Sequence, residues 1–170
     1  MKKSLKILAF IFVFLLSVAN VSAQTLGDIN IDSRFMSVIE IDQGNVTNLY
    51  QKNEEARMYP ASMTKVMSVF VAVKHLDNLD ENVTLTAADF AGLSAAGASM
   101  AGFSVGETVT ISDLLHGSLL ASGAEATRTL ARLISGDEDS FVALMNEEAK
   151  QLGMNDTHFV NTSGLHDDEH

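Results

Sequence analysis

The order of the hydrophobic patterns constrains the fold of this chain most, because two strand-like segments come first and only helical patterns follow. Residues 35–42 alternate, with β-forming residues in both sets, which predicts a strand covered on both faces. The turn residues Asp42-Gln43-Gly44-Asn45 lead to a second strand-like segment, residues 46–50, and together they predict a β-hairpin. Because two strands alone make a poor sheet, this order is typical of the front of an α/β (α+β) domain whose later strands are missing.

Helical periodicity begins just after Pro60, the only proline of the chain. An apolar stripe predicts a first helix whose buried face carries Val66, Val69, Phe70, Val73 and Leu76. Three further helices are expected over residues 111–120, 125–134 and 140–152. Gly153 follows as a C-terminal stop. Residues 91–106 are rich in Gly, Ala and Ser, so they predict an irregular segment.

The first 23 residues have the pattern of a secretory signal peptide. Three lysines precede an unbroken apolar run at residues 7–16, and small residues occupy positions 21–23. A membrane anchor is the alternative, but residues 7–23 are only 17 in number and are interrupted by three polar side chains. We therefore expect residues 1–23 to be a cleaved signal peptide and residues 24–170 to be a partial catalytic domain.

Charge and cysteine content exclude several classes of function. The 170 residues carry a net charge of −11, and residues 24–170 alone, with 8 basic and 22 acidic side chains, carry −14. This acidic balance argues against nucleic acid as a partner, because binding to phosphates needs a basic face. With no cysteine in the chain, disulfides, thiolate metal sites, iron–sulfur clusters and a cysteine nucleophile are excluded. Covalent chemistry must therefore use Ser, Thr, Lys or a carboxylate.

Ser62 and Lys65 are the pair best placed for such chemistry. They are three residues apart at the start of the first predicted helix, so their side chains share one face. A serine becomes a good nucleophile when a base takes its proton, and a lysine with a lowered pKa can be that base. The spacing alone is weak evidence, since 16 serines and 7 lysines produce about 0.7 such pairs by chance. The interpretation of Ser62 and Lys65 as a catalytic pair therefore depends on the residues around them.

These surroundings resemble the serine-type D-alanyl-D-alanine carboxypeptidases, low-molecular-mass penicillin-binding proteins of peptidase family S11 with the serine β-lactamase-like fold. The segment Tyr59-Pro60-Ala61-Ser62-Met63-Thr64-Lys65 resembles their active-site segment. Ser122-Gly123 falls where the family has its second motif. The resemblance extends over residues 36–170 and includes Val105-Gly106-Glu107-Thr108-Val109-Thr110, Asp113-Leu114-Leu115, Phe141 to Asn146, Leu152-Gly153-Met154, Thr157 to Asn161 and Gly164-Leu165-His166.

The resemblance implies three catalytic roles. Ser62 would be the acylated nucleophile, Lys65 its base, and Ser122 a hydroxyl that relays a proton toward Lys65 or the leaving group. Ser122 has an alternative interpretation, because Ser122-Gly123-Ala124-Glu125 also has the spacing of a helix capping box.

Two departures from the family pattern stand out. Ala124 occupies the third position of the second motif, where Asn is usual, and its methyl group cannot form hydrogen bonds. The Lys-Thr-Gly motif of the family occurs nowhere in the 170 residues. The sequence is thus expected to be either a fragment or a degenerate product, and we expect the 170 residues alone to have little or no activity.

The function implied by the resemblance is removal of the terminal D-alanine from peptidoglycan stem peptides, through an acyl-enzyme on Ser62. β-Lactams would acylate the same serine, and no metal or organic cofactor is implied. Two alternatives are a β-lactamase-like serine hydrolase and a non-catalytic protein that binds wall peptide or penicillin. His166 and His170, with acids between them, superficially suit a metal, but we interpret them as a polar loop.

Overall fold

The computed structural model describes residues 31–170, which fall into two units. The first ends at Arg57, and the second runs from Met58 to His170. The predicted signal peptide, residues 1–23, lies outside the described residues and stays a prediction. Within residues 31–170, no helix combines the length and the apolar character needed to cross a membrane.

The first unit is the hairpin that the sequence predicts. Strand β1 (Met36–Asp42) pairs antiparallel with β2 (Asn45–Lys52). Gln43 and Gly44 connect the two strands, and both have positive φ, 48° and 85°. Two-residue turns of this kind match the right-handed twist of paired strands, which is why Gly is favoured there.

The burial expected for this hairpin is wrong. Ile39 and Ile41 on β1, and Val46 on β2, are exposed rather than covered. A pair of strands has no second layer of its own, so apolar residues in both alternating sets do not by themselves produce a buried strand.

Helix α1 (Thr64–His75) opens the second unit, and a single 3-10 turn, Ala61–Met63, leads into it. Pro60 directly precedes this turn, with a φ of −71°. A proline sets φ near the helical value and donates no hydrogen bond, so it suits the entrance of a helix. The helix therefore begins where the sequence predicts.

The buried face of α1 is only partly the predicted one, since Val69 and Leu76 pack against the core but the other three predicted residues do not. Val66, Phe70 and Val73 are exposed, Val66 to 62%. The buried side chains are instead Thr64, Lys65, Met67, Ser68, Val71 and Ala72. Apolar residues occur on both faces of this helix, so the periodicity predicts a helix correctly but cannot choose which face is packed.

The remaining helices are α2 (Ala87–Phe90), α3 (Ile111–Leu119), α4 (Ala124–Ser135) and α5 (Glu138–Gln151). The last three confirm the predicted helices to within two residues at each end. A short antiparallel sheet of β3 (Asn82–Thr84) and β4 (Thr108–Thr110) was not predicted, because three residues are too few for a visible alternation. Residues 91–106 contain no helix or strand, as expected.

Helix α4 is central to the core of this unit, since it contributes to both hydrophobic clusters. Ala131 belongs to the first cluster, and Ala126 and Leu130 belong to the second. The other members of the first are Met67, Val71, Phe141, Val142, Met145, Ala149 and Phe159. The other members of the second are Ala72, Val83, Leu85, Ile111, Leu114 and Leu115. Because α1 also contributes to both clusters, its N-terminal end is held firmly against α4 and α5.

Residues 152–170 have no regular structure, but side chains of α5 tie them to the core. The Asn146 side chain donates to the Phe159 carbonyl and accepts from the Phe159 amide, both over 2.8 Å. Glu138 accepts hydrogen bonds from the amide and the hydroxyl of Thr162 at 3.0 and 2.8 Å. These bonds place the loop 161–165 beside the start of α1.

Candidate active site

Ser62 and Lys65 meet at the entrance of α1. Ser62 lies in the 3-10 turn and is exposed, whereas Lys65, in the first turn of the helix, is only 3% exposed. Lys65 Nζ donates to Ser62 Oγ over 3.2 Å. The change from a 3-10 turn to an α-helix thus leaves the hydroxyl accessible and the amine buried behind it.

The surroundings of Lys65 favour an amine that can lose its proton. Burial lowers the pKa of Lys65 below its ordinary value, while the negative charge of Glu125 acts in the opposite direction. Lys65 Nζ also donates to the Ser163 carbonyl over 2.7 Å. Together, the contacts with Ser163 and Ser62 fix the direction of the amine.

Hydrogen bonds in and around the loop 161–165 hold the Ser163 carbonyl in place. Asn161 Oδ1 accepts from the amides of Ser163 and Gly164 at 3.1 and 2.7 Å, and Asn161 Nδ2 donates to the Leu165 carbonyl. Ser68 Oγ, on α1, donates to the Thr162 carbonyl over 2.7 Å. The loop is therefore closed by its own asparagine and anchored to the helix that carries Lys65.

Gly164 brings this loop into close contact with the residue before the nucleophile. A Cβ at Gly164 would lie 1.7 Å from the Ala61 carbonyl oxygen, so only glycine fits. Ala61 has a φ of 47°, a conformation that residues with a Cβ rarely adopt. Ser62 thus follows a strained residue that is packed directly against the loop.

Ser122 lies two residues before α4. Its φ is 57°, and its Oγ is buried without a hydrogen-bond partner among the described residues. The structure brings Ser62 and Lys65 together but shows no hydrogen bond from Ser122 to either of them.

The capping-box interpretation of Ser122 is wrong. The N-cap of α4 is Gly123, with no side-chain cap bond, and Glu125 Oε1 accepts instead from the Ala101 and Gly102 amides. A cap would have given the Ser122 hydroxyl a partner on α4, which it lacks.

One open pocket lies between the start of α1, the start of α4, the loop 161–165 and residues 97–99. Ser62 and Lys65 line it, and Ala124, at the third position of the second motif, contributes its methyl group. The other lining residues are Gly97, Ala98, Ser99, Ser163, Gly164 and Leu165. Its wall is therefore formed largely by backbone and small side chains.

Several residues of this pocket were not singled out by sequence reasoning. Ser99 and the Ser163 carbonyl carry no chemical signature, because every residue has a carbonyl and small residues are common. Glu125, which lies next to Ala124 but does not line the pocket, has only a capping-box spacing as its sequence signal. The family resemblance did include Gly164 and Leu165, but without a structural role.

Nothing in the described part of the chain forms a metal cluster of three or more His, Asp or Glu side chains. His166 and Asp168 approach to 3.7 Å, and both are exposed. The site is accordingly made of a hydroxyl, an amine and backbone groups.

Curated proteins similar to this chain are D-alanyl-D-alanine carboxypeptidases. The family model described as D-alanyl-D-alanine carboxypeptidase, peptidase S11, matches residues 19–170. DacF of Bacillus subtilis is 39% identical over 137 residues, covering 78% of this chain and 34% of that protein. DacB2 of Mycobacterium tuberculosis is 39% identical over 128 residues, covering 75% of this chain and 41% of that protein.

Solved structures agree with this assignment. A mutant of a Streptomyces DD-transpeptidase has a TM-score of 0.74 at 30% identity, covering 82% of this chain and 56% of that one. Penicillin binding protein 5 from Haemophilus influenzae has a TM-score of 0.69 at 29% identity, covering 81% and 41%. The predicted fold, of the penicillin-binding-protein type and represented by its hairpin and helical part, is confirmed.

The chain spans about a third to just over half the length of these proteins. Because the family model extends over nearly all of the chain, and solved members share its fold at about 30% identity, the chain belongs to the D-alanyl-D-alanine carboxypeptidase family.

Proposed function

We propose that this chain carries the nucleophilic part of a serine-type D-alanyl-D-alanine carboxypeptidase, with Ser62 as nucleophile and Lys65 as base. The observation that carries the proposal is the 3.2 Å contact between an exposed hydroxyl and a buried amine. Burial favours the neutral form of the amine, and a neutral amine at this distance can accept the serine proton.

The reaction would proceed in two steps. Ser62 Oγ attacks the carbonyl carbon between the last two D-alanines of a stem peptide, while its proton passes to Lys65 Nζ. The C–N bond then breaks, and the leaving D-alanine takes a proton, with Ser122 as the relay that family resemblance assigns. Water attacks the resulting ester and restores the Ser62 hydroxyl. A β-lactam would form the same ester by opening its ring.

The predicted signal peptide supports a substrate of this kind. Peptidoglycan stem peptides are extracytoplasmic, and residues 1–23 have the pattern of a signal peptide. We therefore place the site on the outer side of the cytoplasmic membrane.

Labelling with a fluorescent penicillin tests the proposal. The protein should take up one covalent label, and the Ser62→Ala variant should take up none. Ser94→Ala is the matched control, because Ser94 is also exposed but does not line the pocket. Label that survives in Ser62→Ala, or is equally lost in Ser94→Ala, would show that Ser62 is not the nucleophile.

Ala124 favours a second candidate, a protein that binds wall peptide without turnover. Its methyl group lines the pocket at a position where the family usually has an amide donor, and loss of one preorganised donor costs roughly 10²–10³ in rate. D-alanine release from a D-Ala-D-Ala peptide separates the two candidates. Release that depends on Ser62 indicates an enzyme, whereas binding without label or release indicates a passive binder. Faster hydrolysis of penicillin than of the peptide would instead indicate the β-lactamase-like alternative.

A further inference from the structure

Glu125 is a buried carboxylate to which the proposed reaction assigns no role. It lies in the first turn of α4, and its exposed fraction is 0%. Its Oε1 accepts two backbone hydrogen bonds, from the amides of Ala101 at 2.7 Å and Gly102 at 3.0 Å. Its Oε2 has no hydrogen-bond partner among the described residues. A buried charge with one unsatisfied oxygen is costly, so a purely structural role would be better filled by a neutral side chain.

The two bonds of Oε1 hold one wall of the pocket. Gly97, Ala98 and Ser99 line the pocket just before Ala101, in a segment without helix or strand. Besides Glu125, a backbone bond from the Ala124 amide to the Ser99 carbonyl, 2.9 Å long, ties this segment to α4. Within the segment, the Gly97 and Ala98 amides donate to the carbonyls of Ser94 and Leu93 at 3.1 and 3.0 Å. The carboxylate therefore fixes the other end of the wall, at Ala101 and Gly102.

The packing between the two segments leaves no free space. A Cβ at Gly123 would lie 2.6 Å from Ala101 Cβ and 3.1 Å from Glu125 Oε2. The carboxylate is thus wedged between the start of α4 and the segment 97–102, and its two oxygens have different surroundings.

The same carboxylate acts on the amine across the pocket. The groups that contact Lys65 Nζ directly, Ser62 and Ser163, are uncharged. Glu138, which bonds to the loop 161–165, is neutralised by Arg128 at 2.9 Å. Glu125 is the charge that raises the pKa of Lys65 against the effect of burial.

We propose that Glu125 is a positioning residue: its carboxylate fixes the Ala101–Gly102 end of the pocket wall against α4, and its charge acts on the Lys65 amine. This proposal deepens the proposed function, because it concerns the base and the wall of the same pocket. The two effects depend on different properties of the side chain, hydrogen-bond acceptance and negative charge, and substitutions can separate them.

The test uses two variants and two measurements that need no catalytic activity. Glu125→Ala removes the acceptor and the charge, while Glu125→Gln keeps an acceptor oxygen and removes only the charge. Hydrogen exchange of peptides covering residues 97–102 reports on the wall. The pH dependence of Lys65 acetylation by acetic anhydride, with Lys74 on the same helix as internal reference, reports on the amine.

In Glu125→Ala, exchange of residues 97–102 should accelerate roughly tenfold or more, because two charge-assisted bonds are lost. In Glu125→Gln, that exchange should change little. The midpoint of Lys65 acetylation should move to lower pH in Glu125→Gln, because the charge that favours the ammonium form is gone. The midpoint for Lys74 should not move.

Asp89→Asn is the matched control, since Asp89 is another buried carboxylate that accepts a backbone hydrogen bond but forms none with residues 97–102. It should leave the Lys65 midpoint unchanged and should not accelerate exchange of residues 97–102 more than exchange in the rest of the second unit. Three outcomes would each overturn the proposal. They are unchanged exchange in Glu125→Ala, an unchanged Lys65 midpoint in Glu125→Gln, and shifts in Asp89→Asn that equal those in the Glu125 variants. If Glu125→Ala does not fold, the Lys65 midpoint in Glu125→Gln decides alone. A protein that shows both effects but is never labelled by penicillin would refute the proposed function and leave this positioning role intact.

Discussion

The second unit contains two regions organised around a buried carboxylate, and they differ in how well their polar atoms are satisfied. Around Asp89, every bond is made: the carboxylate accepts from Arg132 Nε and Nη2 at 2.8 and 2.9 Å and from the amide and hydroxyl of Thr86 at 2.7 and 3.0 Å. In the pocket region, Thr64 Oγ1, Ser122 Oγ and Glu125 Oε2 are buried without partners.

The backbone shows the same contrast. Ala61 and Ser122 are the only non-glycine residues of the described second unit with positive φ, and both belong to the motif segments of the pocket. Strained backbone and unsatisfied polar atoms cost free energy. The Asp89 region is therefore fully satisfied, whereas the pocket region retains backbone strain and unsatisfied polar atoms.

The largest effect is expected for Gly164→Ala. The new methyl group would overlap the Ala61 carbonyl oxygen at 1.7 Å, and φ at this position is 74°. Overpacking and a left-handed alanine together should lower the free energy of unfolding by about 3 kcal/mol or more. Urea unfolding measures this loss.

Gly136→Ala is the control for Gly164→Ala. Its φ is 86°, but no atom lies within 4 Å of the added Cβ, so the loss should be about 1 kcal/mol. Equal losses in the two variants would mean that the contact between the loop and Ala61 contributes nothing.

An intermediate effect is expected for Asp89→Asn. Burial alone would raise the pKa of Asp89. The hydrogen bonds from Arg132 and Thr86, together with the Arg132 charge, lower it by more than burial raises it, so the pKa lies below its usual value. The contribution of this carboxylate to the free energy of unfolding is complete above its unfolded-state pKa, about 4. It is lost as the pH falls through the lower folded-state pKa.

Asp89→Asn should therefore cost about 2 kcal/mol at pH 7, and this difference from the wild type should shrink steadily below about pH 4. Urea unfolding at pH 7 and pH 3 checks both points. A difference of the same size at both pH values would contradict the assigned role of the Asp89 charge.

The smallest effect on stability is expected for Ser122→Ala. Because its Oγ has no hydrogen-bond partner, removal of the hydroxyl should change the free energy of unfolding by less than about 0.5 kcal/mol, or even stabilise the protein. The rate of acylation by penicillin should fall if Ser122 relays a proton. A stability loss above about 1 kcal/mol, with acylation unchanged, would make Ser122 a structural residue like those around Asp89.

Local patterns were sufficient to predict the hairpin and four helices, α1 and α3 to α5, because turn residues and helical periodicity act over a few positions. They were not sufficient for the face of α1, where Val66 and Met67 look equally suited to a core. The sheet of β3 and β4 was also missed, since its three-residue strands are joined across 23 intervening residues. For the pocket, the spacing of Ser62 and Lys65 predicted that their side chains meet, whereas the Ser163 carbonyl and the role of Glu125 had no local signal.

The sequence by itself determined the family, the order of the hairpin and the longer helices, and the chemical types at the pocket, since these depend on residue identity and short-range spacing. Only the tertiary structure decided which face of α1 is buried, and with it the desolvation of Lys65. It also decided that two segments distant in sequence, 161–165 and 97–102, lie beside Ser62 and Lys65. The reason is that burial and long-range hydrogen bonds arise from packing between elements, and no single element specifies its partners.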